Sequence, residues 1–194
     1  MAAESGADYI GFVFAPSKRR INPEAARSIA GAVPNVGKVG VFVNTPLTEV
    51  QDIARQCGLD LIQLSGDEPP DYCACLNFPV IKAARVAETK IIPDITNYQV
   101  SWLLLDAYRP GSYGGTGQTF NWQLAADIIK AGPTAPVIVA GGLNPENVGE
   151  AIRLIRPQGV DVSGGVETDG KKDLDKIVQF IKNARLAEGR LADA

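Results

Sequence analysis

Val137-Ile-Val-Ala-Gly-Gly-Leu-Asn144 and Val160-Asp-Val-Ser-Gly-Gly-Val-Glu167 decide how this chain folds. Each stretch opens on apolar, mostly β-branched residues suited to a strand buried on both faces, then breaks at two consecutive glycines. Glycine pairs leave backbone N–H groups bare, so two such loops side by side can close on an anion. Each is followed by a helix start, whose N-terminus adds partial positive charge. Paired anion cradles after the last two strands are where barrels of alternating strands and helices hold phosphate.

Outward from these loops, short apolar runs at 9–14, 38–43, 61–64, 80–83 and 102–106 join 137–140 and 160–163 as seven predicted strands. Between or after most of them lie amphipathic stretches at 22–30, 47–57, 122–131, 145–155 and 173–187. Asn22 before Pro23, Asn121 before Trp122 and Asn144 before Pro145 mark helix starts. This alternation predicts a parallel sheet. A doubly wound sheet shares the alternation, but no GxGxxG follows an early strand, and the informative polar residues fall at the C-terminal ends of several strands.

With 194 residues, 45% apolar, the chain suits one domain with a sizeable core. A net charge of −3, with Lys18-Arg19-Arg20 as the one basic cluster, disfavours nucleic acid or an anionic membrane as partner. No apolar run is long enough to span a bilayer and no signal core opens the chain, so a cytoplasmic location is expected. Cys57, Cys73 and Cys75 lack zinc-like or CxxC spacing, which argues against a disulfide framework or a metal site. The absence of histidine throws acid–base work onto carboxylates, thiols, lysines or tyrosines.

The chain resembles phosphoribosylanthranilate isomerase over nearly all its length. The resemblance is carried by Gly6-Ala-Asp-Tyr-Ile-Gly-Phe-Val-Phe14 with Ser17-Lys-Arg19, Val39-Gly-Val-Phe-Val-Asn44, Ile62-Gln-Leu64 with Gly66-Asp-Glu68, and Leu104-Leu-Asp106. Further on it is carried by Gly114-Gly-Thr-Gly117 with Thr119-Phe-Asn-Trp122, then Ala140-Gly-Gly-Leu-Asn-Pro-Glu-Asn147, and Val160 to Glu167 leading to Gly170-Lys-Lys-Asp173. The resemblance implies a TIM-type (βα)8-barrel and an Amadori rearrangement of N-(5′-phosphoribosyl)anthranilate in tryptophan biosynthesis, with no cofactor or metal. It implies that Asp106 is the general acid on the furanose oxygen and that Arg19 binds the anthranilate carboxylate. Gln63 and Asp161 match positions that contact substrate or order the site, with Asp161 equally able to act on a sugar hydroxyl or from behind. Gly141, Gly142, Ser163 and Gly164 are the expected phosphate donors. The glycine-rich segment 107–119 is long enough to fold over a substrate.

Three departures carry expectations of their own. Ser65 stands where relatives commonly have histidine, and Gly164 where a second serine is usual. The family's general base, a cysteine in a Cys-Gly pair ending a first strand, has no counterpart: the three cysteines present fall elsewhere and are expected to be inert. The opening Met1-Ala-Ala-Glu-Ser-Gly-Ala-Asp8 reads as a helix tail entering a strand, so the first βα unit is expected to be missing from a seven-stranded barrel. An open barrel edge predicts self-association or weakened stability. The isomerase is then expected to be impaired; the alternative is a catalytically silent phosphate-binding barrel, or a fragment needing a complementing segment.

Overall fold

The structure, a computed structural model, describes residues 1–87, 91–107 and 121–192, the last three through their backbone only. Its strands are β1 (Tyr9–Val13), β2 (Gly37–Phe42), β3 (Leu61–Leu64), β4 (Val80–Val86), β5 (Ile91–Ile92), β6 (Trp102–Ala107), β7 (Val137–Val139) and β8 (Gly159–Val160). Seven of them pair in parallel in the order β1-β2-β3-β4-β6-β7-β8, and β5 adds antiparallel to β4. Helices α1 (Pro23–Ala32), α2 (Leu47–Cys57), α3 (Pro70–Ala74), α4 (Trp122–Lys130), α5 (Val148–Ile155) and α6 (Leu174–Ala192) alternate with the parallel strands except between β4 and β6, where β5 and turns stand among the described residues. A 3-10 turn at Gly164–Val166 and a small hairpin, β9 (Glu167–Thr168) with β10 (Lys171–Lys172), separate β8 from α6.

Side chains alternate across a strand, so register fixes what each face carries. Val39, Leu61, Ile81, Ala83, Leu104 and Ala140 form a cluster on the inner face of the curled sheet, with Trp102 and Ile138 against it. The pairings Gln63↔Ile81, Arg85↔Asp106 and Ile138↔Gly159 place Gln63, Arg85, Asp106 and, two residues after Gly159, Asp161 on that face, at the C-terminal ends of their strands. The outer face is packed in two halves. Phe12, Phe42, Ile62 and Leu64 meet Ala26 and Ala30 of α1 and Val50 and Ala54 of α2. Leu103, Leu105, Val137 and Val139 meet Ala125 of α4, Val148 and Ala151 of α5, and Ile177 and Phe180 of α6. Each of these larger side chains contributes about 1.5–3 kcal/mol by leaving water.

One outward-facing residue breaks the pattern. Lys82 of β4 is 0% exposed, and its Nζ donates to Glu68 Oε2 at 2.7 Å and to the Gly66 carbonyl at 2.8 Å. The other Glu68 oxygen accepts from the Asn44 N–H at 2.7 Å, and the Tyr98 hydroxyl donates to the Glu68 carbonyl at 2.9 Å. A buried charge persists only when paired and hydrogen-bonded, and this pair ties together the ends of β2, β3 and β4.

Caps act where the sequence places them: Asn22 accepts from the Ala25 N–H at 2.8 Å, and Asn121 from the Gln123 and Leu124 N–H groups. Helix α5 starts at Val148 rather than Pro145. Asn144 Oδ1 takes the Glu146 and Asn147 N–H groups while Asn147 Oδ1 takes the Asn144 N–H, and this reciprocal turn occupies the residues of an expected first turn. The opening residues close as a helix end does: Ser5 N–H donates to the Met1 carbonyl at 3.0 Å, Gly6 turns left-handed at φ +92°, and Ala7 N–H donates back to the Ala2 carbonyl at 3.1 Å before β1 begins.

Among the described residues, β1 and β8 each pair on one side only. Side chains bridge these two edges at both ends. Arg19, in the loop after β1, binds Glu167 beyond β8, and Arg185 of α6 reaches both oxygens of Asp8, just before β1, at 2.7 Å. The Asp8–Arg185 pair is solvent-exposed and contributes little; the Arg19–Glu167 pair is half-buried.

Candidate active site

Asp106 ends β6 on the inner face, half-buried, with Oδ1 accepting from the Ala107 N–H at 2.8 Å. Burial pushes its carboxyl up to about 6, against the pull of that N–H and with a further push from the negative Asp161 nearby. Asp161 is accessible to water yet ringed by the barrel wall, which raises its carboxyl too, while Lys172 draws it back down. Under these influences Asp106 holds its proton closer to neutrality than an ordinary carboxyl does, which is what donation to a leaving oxygen requires.

Gly141 sets where that acid sits. At φ +81° it occupies the left-handed region, and a Cβ there would lie 2.5 Å from the Ala107 nitrogen and 2.7 Å from Asp106 Oδ1. The glycine loop after β7 thus presses directly on the carboxyl. Gly141→Ala is expected to displace Asp106 and to reduce kcat by about 10²-fold, since sub-ångström errors in a reacting group are magnified in the transition state. Steady-state kinetics together with a thermal melt check this; unchanged kcat in a folded variant refutes the contact's importance.

The two glycine loops touch. A Cβ on Gly165 would fall 1.8 Å from the Leu143 carbonyl oxygen, so only glycine lets the loop after β8 lie against the loop after β7. Gly142's carbonyl accepts from Asn147 Nδ2 at 2.9 Å, and Ser163's carbonyl accepts from Lys172 Nζ at 2.8 Å. Among the described residues, no hydrogen bond takes up the N–H groups of Gly141, Gly142 or Ser163. Gly164 opens the 3-10 turn, and a Cβ there would lie 3.5 Å from Arg19 Nη2. Contacts therefore run without a break from Asp106 through Gly141 and the paired loops to Arg19.

Arg19 is held rather than free: Nε donates to Glu167 Oε1 at 2.7 Å and Nη2 to Oε2 at 3.0 Å. Lys172 stands 3.3 Å and Lys18 3.9 Å from the same carboxylate. Hydrogen bonding from Arg19 is the largest of the influences that bring Glu167 down to about 2. Gln63 donates from Nε2 to Ser65 Oγ at 3.0 Å, so each side chain has a partner at the end of β3. Arg85, level with Asp106 on the next strand, pairs with Asp67. Residues 108–119 of the expected covering loop, like Gly114–Gly117 and Thr119 of the matching motifs, lie outside the described residues.

Sequence reasoning missed Glu167, Lys82 and Arg85. A lysine in the run Val80-Ile-Lys-Ala-Ala84 was the available signal, because a charge in a strand buried on both faces requires a counter-charge. Cys57 and Cys73 are buried, and burial pushes both thiols up; Cys75 is exposed on the outside at the end of α3. Among the described residues, no three acidic or cysteine side chains are grouped to hold a metal ion.

Fold and site together define a (βα)-barrel whose titratable groups and glycine loops gather at the C-terminal mouth of the sheet. Residues 1–183 match the family model for N-(5′-phosphoribosyl)anthranilate (PRA) isomerase, and the chain belongs to that family. It is 50% identical over 188 residues to the N-(5′-phosphoribosyl)anthranilate isomerase of Geobacter metallireducens, covering 95% of this chain and 92% of the relative. The phosphoribosylanthranilate isomerase of Thermotoga maritima superposes with a TM-score of 0.83 at 42% identity, covering 95% of this chain and 91% of that one. A phosphoribosylanthranilate isomerase solved with reduced 1-(o-carboxyphenylamino)-1-deoxyribulose 5-phosphate superposes at 0.78 with 40% identity, covering 95% and 90%. These matches also identify the curled seven-stranded sheet as TIM-barrel in type.

Proposed function

We propose that this chain acts in tryptophan biosynthesis, converting N-(5′-phosphoribosyl)anthranilate to 1-(2-carboxyphenylamino)-1-deoxyribulose 5-phosphate. The observation that carries this reading is a protonatable Asp106 on the inner face, pinned by Gly141 beside two touching glycine loops. Asp106 gives its proton to the furanose oxygen as the C1–O bond breaks, and the anilino nitrogen's lone pair forms the C1=N Schiff base. Loss of the proton from C2 then yields the enolamine, which becomes the aminoketose. The phosphate sits against the N–H groups of Gly141, Gly142, Ser163 and Gly164, and Arg19 receives the anthranilate carboxylate. Gln63 and Asp161 face the sugar from the strand ends, and Lys172 beside Asp161 offsets its charge next to the phosphate loop. Free thiols suit a reducing compartment, and the reaction is assigned to the cytoplasm.

The second step needs a base. Cys57 and Cys73 are buried thiols held protonated, and Cys75 lies outside the barrel, so none of the three serves at C2. The 194 residues alone are therefore proposed to turn over slowly, and a barrel that binds the phosphorylated ligand without turnover is the second reading. A fluorescence assay of anthranilate-sugar consumption tests this on the chain, on Asp106→Asn, and on the chain extended by a strand–helix unit ending in Cys-Gly. Rate recovery of about 10²-fold or more in the extended chain is expected; full activity without the unit overturns the impairment. Self-association across the edges of β1 and β8 is part of the same reading, and a strictly monomeric 20.6 kDa species in sedimentation velocity argues against it.

A further inference from the structure

We propose that Glu167 is a positioning residue that aims Arg19 at the carboxylate of the substrate's aromatic ring. This inference rests on the role given to Arg19 above. Glu167 takes one N–H from Nε and one from Nη2, in two parallel hydrogen bonds of 2.7 and 3.0 Å. A guanidinium carries five N–H groups, so three remain: the pair on Nη1 and the second on Nη2. Of these, one on Nη1 and the free one on Nη2 run parallel and form a second edge of the fork shape that matches a carboxylate. Nη2 is also the atom nearest the place where Gly164 lacks a side chain, so the guanidinium borders the loop after β8.

The carboxylate of Glu167 is itself fixed. Its side chain is 8% exposed against 23% for Arg19, and it stands on the β9–β10 hairpin. The backbone around it is tied by the Asp173 N–H to the Val166 carbonyl at 3.0 Å and by Lys176 Nζ to the Glu167 carbonyl at 3.0 Å. An arginine on a surface loop otherwise loses rotamer freedom on binding; a residue that has already frozen it removes much of that loss. An acidic neighbour would normally repel a substrate carboxylate. Here Lys172 and Lys18 lie beside Glu167 along with Arg19, so three cations face one carboxylate and the local charge stays positive. The Arg19 guanidinium keeps Glu167 ionised throughout the neutral range, so the clamp holds at working pH.

A latch that merely joined β1 to β8 would act on all ligands alike, and this separates the two roles. The probes are reduced 1-(o-carboxyphenylamino)-1-deoxyribulose 5-phosphate and its phenylamino counterpart without the carboxylate, titrated calorimetrically into the whole chain. The chain is expected to prefer the carboxylate-bearing probe by about tenfold or more. Glu167→Gln is expected to erase about tenfold of that preference while leaving affinity for the other probe within about twofold. In an Arg19→Gln background, Glu167→Gln is expected to change nothing further. Glu167→Asp keeps the charge but withdraws it by one methylene, and is expected to show the same selective loss if Glu167→Gln fails to fold. Equal loss for both probes, additive effects with Arg19→Gln, or a parent chain blind to the carboxylate each overturn the inference and leave the isomerase reading standing. Failure of the parent chain to bind either probe overturns both.

Discussion

Asp106→Asn is expected to lower kcat by about 10²–10⁴-fold, the usual range for a positioned proton donor. The same variant is expected to be more stable than the parent at neutral pH. Burial raises the Asp106 carboxyl from 3.8 to about 6, so the folded chain binds this proton more tightly than the unfolded chain does. The stability tied to the protonated form is complete below about 4 and is lost as pH rises through about 6, amounting to roughly 2–3 kcal/mol above that. Asparagine is neutral throughout and its carbonyl can still accept from the Ala107 N–H. The melting difference between variant and parent should therefore vanish near pH 4 and reach several degrees above pH 6. Parent kcat/KM should fall on the alkaline side with an apparent pKa near 6, and residual activity in the variant should not show that limb. A variant retaining more than about a tenth of parent kcat removes Asp106 from the chemistry.

The second large effect lies outside the mouth. Lys82→Met leaves the Glu68 carboxylate buried without its cation and is expected to destabilise the chain by about 3–5 kcal/mol, or on the order of 10 °C in melting temperature. Glu68 is 3% exposed, so water cannot replace the ammonium. Adding Glu68→Gln should recover most of the loss: the amide oxygen can still accept from the Asn44 N–H, and no charge is left stranded. Denaturant melts of the two single variants and the double variant measure the coupling; additive losses would mean that the ions act separately. Because Lys82 ties the loop after β3 to β4, an extra loss of activity beyond that of unfolding is also expected in Lys82→Met.

The strands and helices were readable because local physics specifies them. Buried parallel strands demand runs such as Val137-Ile-Val139 and Leu103-Leu-Leu105, and Asn22 and Asn121 can satisfy N–H groups only at a helix start. Asp106 and the glycine pairs were singled out for a similar reason, since each sits where an apolar strand stops. The α5 start was misplaced by three residues because Asn144 and Asn147 each bond the other's backbone, a choice between two local solutions that residue types do not rank. The resemblance assigns Arg19 to a substrate carboxylate but says nothing of what holds it; its bidentate grip on Glu167 spans 148 positions and exists only when both edges of the sheet are brought together.

Alternation of pattern, glycine placement and cap residues determined a parallel sheet with its polar strand ends on one side. These depend on backbone conformation and burial within a few residues, which sequence neighbours control. Tertiary structure alone decided that Gly141 presses on Asp106, that Gly165 lets two loops touch, and that Glu167 and Glu68 each find a cation. Such contacts set pKa values and side-chain aim through distance and excluded water, and neither quantity exists until the sheet has curled.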